Sequence, residues 1–130
     1  MKKKIISRLM TICILALLAV SCSSDENTRT THELEGTWNL ISVSCECEPG
    51  NFPTGTHVWE FFVDEGILNV INTQNEPMQV LDSGNHTFTL NGANIVIDSN
   101  RQYDIEFQGE TLYLSFHPES DGPLLELVKN

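Results

Sequence analysis

The stretch HTFTLNGANIVI, residues 86–97, consists of two alternating runs joined by a short turn. Apolar residues occupy every second position on both sides of the turn, which is the pattern of half-buried β-strands. Asn91-Gly92 lies between the two runs. Asn-Gly favours a type I′ turn, because both central residues of that turn need a positive φ. The stretch therefore predicts an antiparallel β-hairpin.

The same alternation continues on both sides of this hairpin, across residues 34–130, with turn residues at Asp64-Glu65-Gly66, Ser99-Asn100 and Gln108-Gly109. Tight turns make successive strands antiparallel neighbours. Eight short strands joined in this way form an up-and-down barrel or a sandwich. The second half contains no long crossover of the kind that a sandwich needs. We therefore predict an all-β domain, an eight-stranded antiparallel up-and-down barrel.

The interior of this barrel is expected to hold the apolar residues of one parity. They are Trp38, Leu40, Trp59, Phe61, Leu68, Val70, Phe88, Ile95, Ile97, Tyr103, Ile105, Phe107, Leu112, Leu114, Phe116, Leu125 and Leu127. An eight-stranded barrel is just wide enough either to be filled by its own side chains or to hold one small ligand. A domain of roughly 100 residues can spare little core, but both interpretations stay open. For a pocket we expect a wall of Trp59, Phe61, Tyr103 and Phe116.

Residues 1–21 have the organisation of a signal peptide. Three lysines at positions 2–4 precede an uninterrupted apolar stretch over residues 12–20. That stretch is shorter than the roughly 20 residues that cross a bilayer core, so it favours a cleaved signal over a membrane span.

The end of this segment, Ala19-Val20-Ser21-Cys22, resembles the lipobox of bacterial lipoproteins, with Ala19 where the family usually has Leu. The resemblance implies that Cys22 is acylated, with palmitate-like chains, and becomes the new N-terminus. An ordinary secretory signal with a chance cysteine is the alternative. Residues 22–33 are polar, and we expect them to form a flexible tether.

Ser24-Asp25-Glu26 is similar to the acidic export signal of surface lipoproteins in Bacteroidetes-type bacteria. This resemblance implies a lipid-anchored protein of the outer membrane that is exposed on the cell surface. A solvated spacer with no export role is the alternative interpretation.

The segment Gly36-Thr37-Trp38 resembles the opening of lipocalin-like domains, in which Gly-x-Trp starts the first strand and the Trp plugs one end of the barrel. Small lipocalin-like lipoproteins of Bacteroidetes-type bacteria are the closer match, since they also have Trp-x-Phe in the second strand, here Trp59-Glu60-Phe61. The similarity covers about residues 34–129. It implies a lipocalin-like barrel, Trp38 as a structural plug and a capacity to hold small apolar molecules. Lys129 stands where lipocalins stack an Arg on the Trp.

Cys45 and Cys47 are the two thiols that remain after Cys13 is removed and Cys22 is lipidated. In an oxidising compartment we favour a disulfide between them. Positions i and i+2 of a flat strand lie near the upper limit of disulfide geometry, about 6.8 Å between Cα atoms, and the following Pro49-Gly50 would bend the chain. A thiolate metal site with His57 and a redox-active pair are the alternatives.

The charge of the chain excludes one class of partner. Seven basic residues face 18 acidic ones, and beyond the signal only Arg29, Arg101 and Lys129 remain basic. Such a surface repels phosphate backbones, so we expect no nucleic-acid binding. The sequence contains no catalytic or phosphate-binding motif and no clear metal-ligand spacing. We therefore predict a non-enzymatic protein with no cofactor and no metal, in which His57 is a hydrogen-bonded interior residue.

Two functional hypotheses follow from these features. The first is a membrane-anchored lipocalin-like lipoprotein that binds or carries a small hydrophobic ligand. The second is a filled barrel that acts as a surface interaction module or a protease inhibitor, with a protein partner at the barrel rim. An enzyme with an atypical site in the barrel mouth ranks last.

Overall fold

The computed structural model describes residues 25–45, 50–73, 80–116 and 122–130. One helix is followed by nine antiparallel strands, and a short 3-10 turn, Val63–Glu65, joins the third strand to the fourth. The elements are α1 (Asp25–Leu34), β1 (Gly36–Ser44), β2 (Gly50–Asn51), β3 (His57–Phe62), β4 (Ile67–Asn72), β5 (Gly84–Asn91), β6 (Asn94–Ile97), β7 (Arg101–Gln108), β8 (Thr111–Ser115) and β9 (Leu124–Lys129).

Eight of the strands close into an antiparallel barrel. From β3 to β9 each strand pairs with the next one along the chain, and β1 pairs with both β3 and β9. The closing pair runs from Trp38 opposite Lys129 to Ser44 opposite Leu124. The two-residue strand β2 is an addition to the end of β1 and does not take part in the closure. The predicted eight-stranded meander is therefore confirmed.

A β-bulge at Ile41 changes the parity of β1. The pairing with β9 shifts between Leu40 and Ser42, so one residue of β1 is extra. After the bulge Val43 is buried, although strict alternation would place it outside. At the same point β1 exchanges its partner β3 for the short strand β2.

The core follows the predicted inward parity closely. All the expected inward residues are buried except Ile105, Phe107 and Phe116, which are half-buried and pack against the core. Three buried residues lie outside the barrel strands and were not predicted. Leu34 comes from α1, Phe52 follows β2, and Leu81 precedes β5. These three residues lie outside the alternating runs, so the period-two pattern could not predict that they are buried.

Helix α1 occupies part of the segment that we expected to be a flexible tether. Its exposed face has an ion pair one turn apart, Arg29 Nε to Glu33 Oε1 at 2.9 Å. Its last turn is held by the barrel, because the Trp38 indole N–H donates to the Leu34 carbonyl at 2.9 Å. The Lys129 ammonium donates to the Glu33 carbonyl at 3.1 Å. A cation at the C-terminal end of a helix also complements the helix dipole. These contacts order a polar segment that has little apolar surface of its own.

The barrel has two different ends, which we name by what covers them. The helix end carries α1, the C-terminus and the tight turns around residues 63–66, 92–93 and 109–110. The loop end carries the short strand β2, the described connecting residues 52–56, 80–83 and 122–123, and the turn 98–100.

Candidate functional site

The four residues predicted to line a pocket form two separate aromatic pairs. The rings of Trp59 and Phe61 lie 6.2 Å apart on β3, and both side chains are 0% exposed. The rings of Tyr103 and Phe116 lie 5.4 Å apart near the loop end. Phe61 also meets Phe88 edge to face at 5.5 Å. Each pair therefore packs within the core of the barrel.

The interior between these pairs is inaccessible to water at the described residues. Trp59, Phe61, Leu68, Ile95 and Leu112 are all 0% exposed, although they belong to different strands of the barrel. A space that could hold a ligand must at least admit a water molecule, and the side chains lining it would then have accessible surface. These fully buried residues therefore line no open ligand cavity.

Trp38 lies at the helix end of the barrel and is 1% exposed. The Lys129 ammonium nitrogen is 5.0 Å from the centre of its ring, a distance at which a cation is attracted to an aromatic face. On another side the ring of Phe107 lies 6.1 Å away. Gly36, with φ +111°, turns the chain from α1 into β1 just before Trp38. Trp38 thus connects the helix, the first strand and the last strand.

His57 is the polar residue of the interior. It is 0% exposed, starts β3 at the loop end, and lies in edge-to-face contact with Phe52 at 5.5 Å. Its Nδ1 accepts a hydrogen bond of 3.1 Å from the indole N–H of Trp59. Burial lowers the pKa of His57 from 6.5 to about 4, so the ring is neutral at physiological pH.

The contact with Trp59 determines the tautomer of His57. Because Nδ1 accepts, the single proton of the neutral ring must lie on Nε2. This N–H is buried and has no hydrogen-bond partner. The predicted hydrogen-bonded interior histidine is therefore found at Nδ1 only, and Nε2 is a donor without a partner among the described residues. An unpaired buried donor costs about 1–3 kcal/mol, which makes His57 the part of the interior best suited to contact an added acceptor atom.

Tyr103 is the other polar group near the loop end of the interior, and its side chain is 2% exposed. Burial raises the pKa of its hydroxyl, while the positive charge of Arg101 acts in the opposite direction. Arg101 is half-buried at the first position of β7.

A shallow cleft of about 250 Å³ lies outside the barrel, at the helix end. Its lining combines α1 with the β6–β7 side, through Arg29, Thr30, Glu33, Ala93 and Phe107. It exists because α1 is folded against the barrel, so the expectation of a flexible tether could not reveal it. Its rim contains the Arg29–Glu33 ion pair, which leaves a small apolar area around Phe107.

Several predicted features lie outside the described residues. Cys22 and the signal segment belong to this group, as does Cys47, so lipidation and the Cys45–Cys47 pairing stay predictions. Cys45 itself is half-buried, directly after β1. Within the described ranges no group of three or more His, Cys, Asp or Glu residues is arranged to hold a metal ion. In the same ranges no helix has the length and apolar character needed to cross a membrane.

Comparison with protein-family models finds none that matches the chain, and comparison with curated proteins finds no match either.

Proposed function

We propose that this protein is a lipid-anchored, lipocalin-like lipoprotein whose filled barrel acts as a non-enzymatic interaction module at the surface of the outer membrane. Residues 1–21 would direct export, and acylated Cys22 would hold the chain in the membrane. Two or three acyl chains anchor a protein firmly, whereas one gives only marginal binding. Helix α1 begins three residues after Cys22, so the helix end would lie close to the membrane and the loop end would be free to meet a partner.

The observation that carries this proposal is the burial of the barrel interior. Side chains from several strands are 0% exposed, which leaves no open space beside them for a carried molecule. A barrel of this size has room either for its own side chains or for one small ligand. Side chains that fill the interior therefore stabilise the fold and leave no room for a carried molecule. The outer surface and the rim then remain as the parts that can bind another molecule.

The charge of the domain supports a basic protein partner. The three basic residues beyond the signal already have partners: Arg29 pairs with Glu33, Lys129 contacts Trp38, and the charge of Arg101 acts on Tyr103 and Asp98. The acidic residues are therefore largely uncompensated. Complementary charge accelerates association and selects partners, and this effect weakens as salt is added.

The proposal can be tested by site-specific crosslinking in native cells. A photo-crosslinking residue replaces the exposed Asn100 at the loop end, and a matched control carries it at the exposed Glu110 at the helix end. We expect one discrete adduct from position 100, none from position 110, and loss of the adduct at high salt. Equal yields at the two positions would contradict a partner site at the loop end.

A second candidate function, binding of a small apolar ligand, is favoured by the unpaired N–H of His57. Such a ligand would offer an oxygen acceptor to Nε2 and would have to displace neighbouring side chains such as Phe52. Native mass spectrometry of the protein, purified from membranes without organic solvent, separates the two candidates. An extra mass that is lost on mild activation, and is absent from His57→Gln, supports the carrier. A clean mass that stays unchanged with added fatty acids supports the module.

A further inference from the structure

The ring of His86 lies between two oxygen acceptors at the loop end. Its Nδ1 is 2.6 Å from Oδ2 of Asp98, and its Nε2 is 2.8 Å from the backbone carbonyl oxygen of Asp82. Asp98 belongs to the turn between β6 and β7, and Asp82 belongs to the segment that leads into β5. The ring thus bridges the segment that leads into β5 and the turn that follows β6, the neighbouring strand.

The two partners of His86 determine how many protons its ring must carry. A carbonyl oxygen can only accept, and an ionised carboxylate can only accept. A neutral ring has one N–H, so one of its nitrogens would point a lone pair at an oxygen less than 3 Å away. Both contacts are favourable only when both nitrogens donate, which is the imidazolium form. Charge-assisted bonds of this kind are shorter and stronger than neutral ones.

The Asp98 side of the bridge is rigid. Asp98 has φ 50°, in the left-handed region that costs energy for a residue other than glycine. Its other carboxylate oxygen accepts the backbone N–H of Thr87 at 3.1 Å. The hydrogen bond from His86 lowers the pKa of the Asp98 carboxyl, so this acceptor stays ionised at neutral pH.

The Asp82 side of the bridge holds part of the core in place. Leu81, the preceding residue, is 2% exposed and belongs to the core cluster. On the other side, the Ser83 hydroxyl accepts the Asn72 backbone N–H at 2.8 Å and donates to the Asn72 carbonyl at 3.0 Å. Residues 80–83 are therefore attached to the barrel by Leu81, by Ser83 and by the carbonyl that His86 contacts.

We propose that doubly protonated His86 pins residues 80–83 to the loop end of the barrel, and that loss of its proton releases this segment and uncovers Leu81. The device is a pH-sensitive switch built on one bridging side chain. The closed form needs a proton on both ring nitrogens, and loss of one proton weakens the closure because one nitrogen then turns a lone pair towards an oxygen.

The other charged groups around His86 do not reverse this direction. Asp98 faces the ring from the β6–β7 turn and is the acceptor for Nδ1. Asp82 contributes its carbonyl to the bond, and its exposed carboxylate adds negative charge nearby. Arg101, at the start of β7, interacts with Asp98 and partly compensates that charge. From β4 the residue opposite His86 is Leu68, which carries no charge.

The test combines ring and backbone measurements on the full mature chain in detergent. Two-bond ¹H–¹⁵N spectra report whether both ring nitrogens of His86 carry protons. Hydrogen exchange at the Asn72 amide, which bonds to Ser83, reports release of the segment. The Lys129 amide bonds to the Glu110 carbonyl at the helix end and serves as the internal control.

In mild acid we expect both nitrogens to be protonated. As the ring loses a proton, exchange at Asn72 should rise about tenfold to hundredfold beyond the intrinsic pH effect, the range expected for losing a hydrogen bond to a charged group. The Lys129 amide should not follow. His86→Asn should exchange quickly at every pH, and His32→Asn, which removes an exposed helix histidine, should behave like wild type. A single-proton tautomer while Asn72 is protected, or exchange at Asn72 that is independent of His86, would overturn the proposal.

Discussion

Protonation of the interior residue His57 gives the sharpest test of how the barrel is stabilised. The folded protein holds the pKa of His57 at about 4, because burial disfavours the charged ring. In the unfolded chain the ring has its ordinary pKa near 6.5. Between these two values the unfolded state binds a proton that the folded state excludes. Stability contributed by the neutral ring is therefore complete above about pH 6.5 and is lost as the pH falls towards 4.

The size of the effect follows from the two pKa values. Each pKa unit corresponds to about 1.4 kcal/mol. The difference between 6.5 and about 4 is therefore worth about 3 kcal/mol of unfolding free energy between a pH above both values and a pH below both. Between pH 7 and pH 5 the expected loss is about 2 kcal/mol. Because His57 is 0% exposed, solvent screening gives no reason to reduce this figure.

The assay is urea unfolding, followed by tryptophan fluorescence, at pH 7, 6 and 5. The comparison is with His57→Gln, which does not titrate in this range and keeps an oxygen acceptor for the Trp59 indole. The difference between the two free energies of unfolding removes the contributions of all other groups, His86 and the carboxylates included. It should shrink by about 2 kcal/mol from pH 7 to pH 5.

The control is His32→Gln, on the exposed face of α1, whose difference from wild type should stay flat. If the His57→Gln difference also stayed constant within about 0.5 kcal/mol, the ring would be reached by water and the argument for a sealed interior would fail.

Three further predictions concern other parts of the barrel. Trp38→Phe keeps an aromatic side chain but removes the indole N–H that donates to the Leu34 carbonyl. This change should lower the free energy of urea unfolding by about 1–2 kcal/mol. Gly66→Ala should cost more than Gly92→Ala in the same assay, because a Cβ at Gly66 would lie 3.1 Å from a backbone oxygen, whereas one at Gly92 meets nothing within 4 Å. Both glycines have a positive φ, so each change costs about 1 kcal/mol before that contact is counted. Intact mass should place the protein about two units below the reduced formula if Cys45 and Cys47 are joined.

Each of these has a clear contrary result. An unchanged stability of Trp38→Phe would mean that the helix is not held by the indole. Equal costs for the two glycine variants would mean that the neighbouring backbone yields freely. A fully reduced mass after isolation under non-reducing conditions would exclude the disulfide.

The barrel strands could be predicted because their pattern is local. Alternation and turn residues can be read within about ten residues, and they identified the β5–β6 hairpin and most of the inward set. The predicted type I′ turn at Asn91-Gly92 was wrong in detail, because Asn91 pairs with Asn94 and the turn is centred on Gly92-Ala93, with a positive φ only at Gly92. The bulge at Ile41 could not be predicted in this way, because it depends on how β1 meets β2, β3 and β9 together. Phe52 and Leu81 were missed for a similar reason: each lies in a connection and is buried only because the chain folds back over the loop end.

The histidines show most clearly which features the sequence predicts and which depend on the tertiary structure. Sequence parity placed His57 inside the barrel, yet its unpaired nitrogen depends on the ring orientation that Trp59 selects. For His86 the arrangement comes from the tertiary structure. Its two acceptors lie 4 and 12 residues away, and only the register of β5 with β6 and the path of residues 80–83 bring them to one ring.

The amino-acid sequence by itself determined an antiparallel meander with one apolar face, an acidic surface and a short apolar N-terminal segment, because each of these depends on composition or on the spacing of near neighbours. The tertiary structure decided that β9 closes on β1, that the interior side chains exclude water, and that helix α1 is held by Trp38 and Lys129. These features join residues that are far apart in the chain. Their free energies depend on burial and distance, which no local pattern specifies.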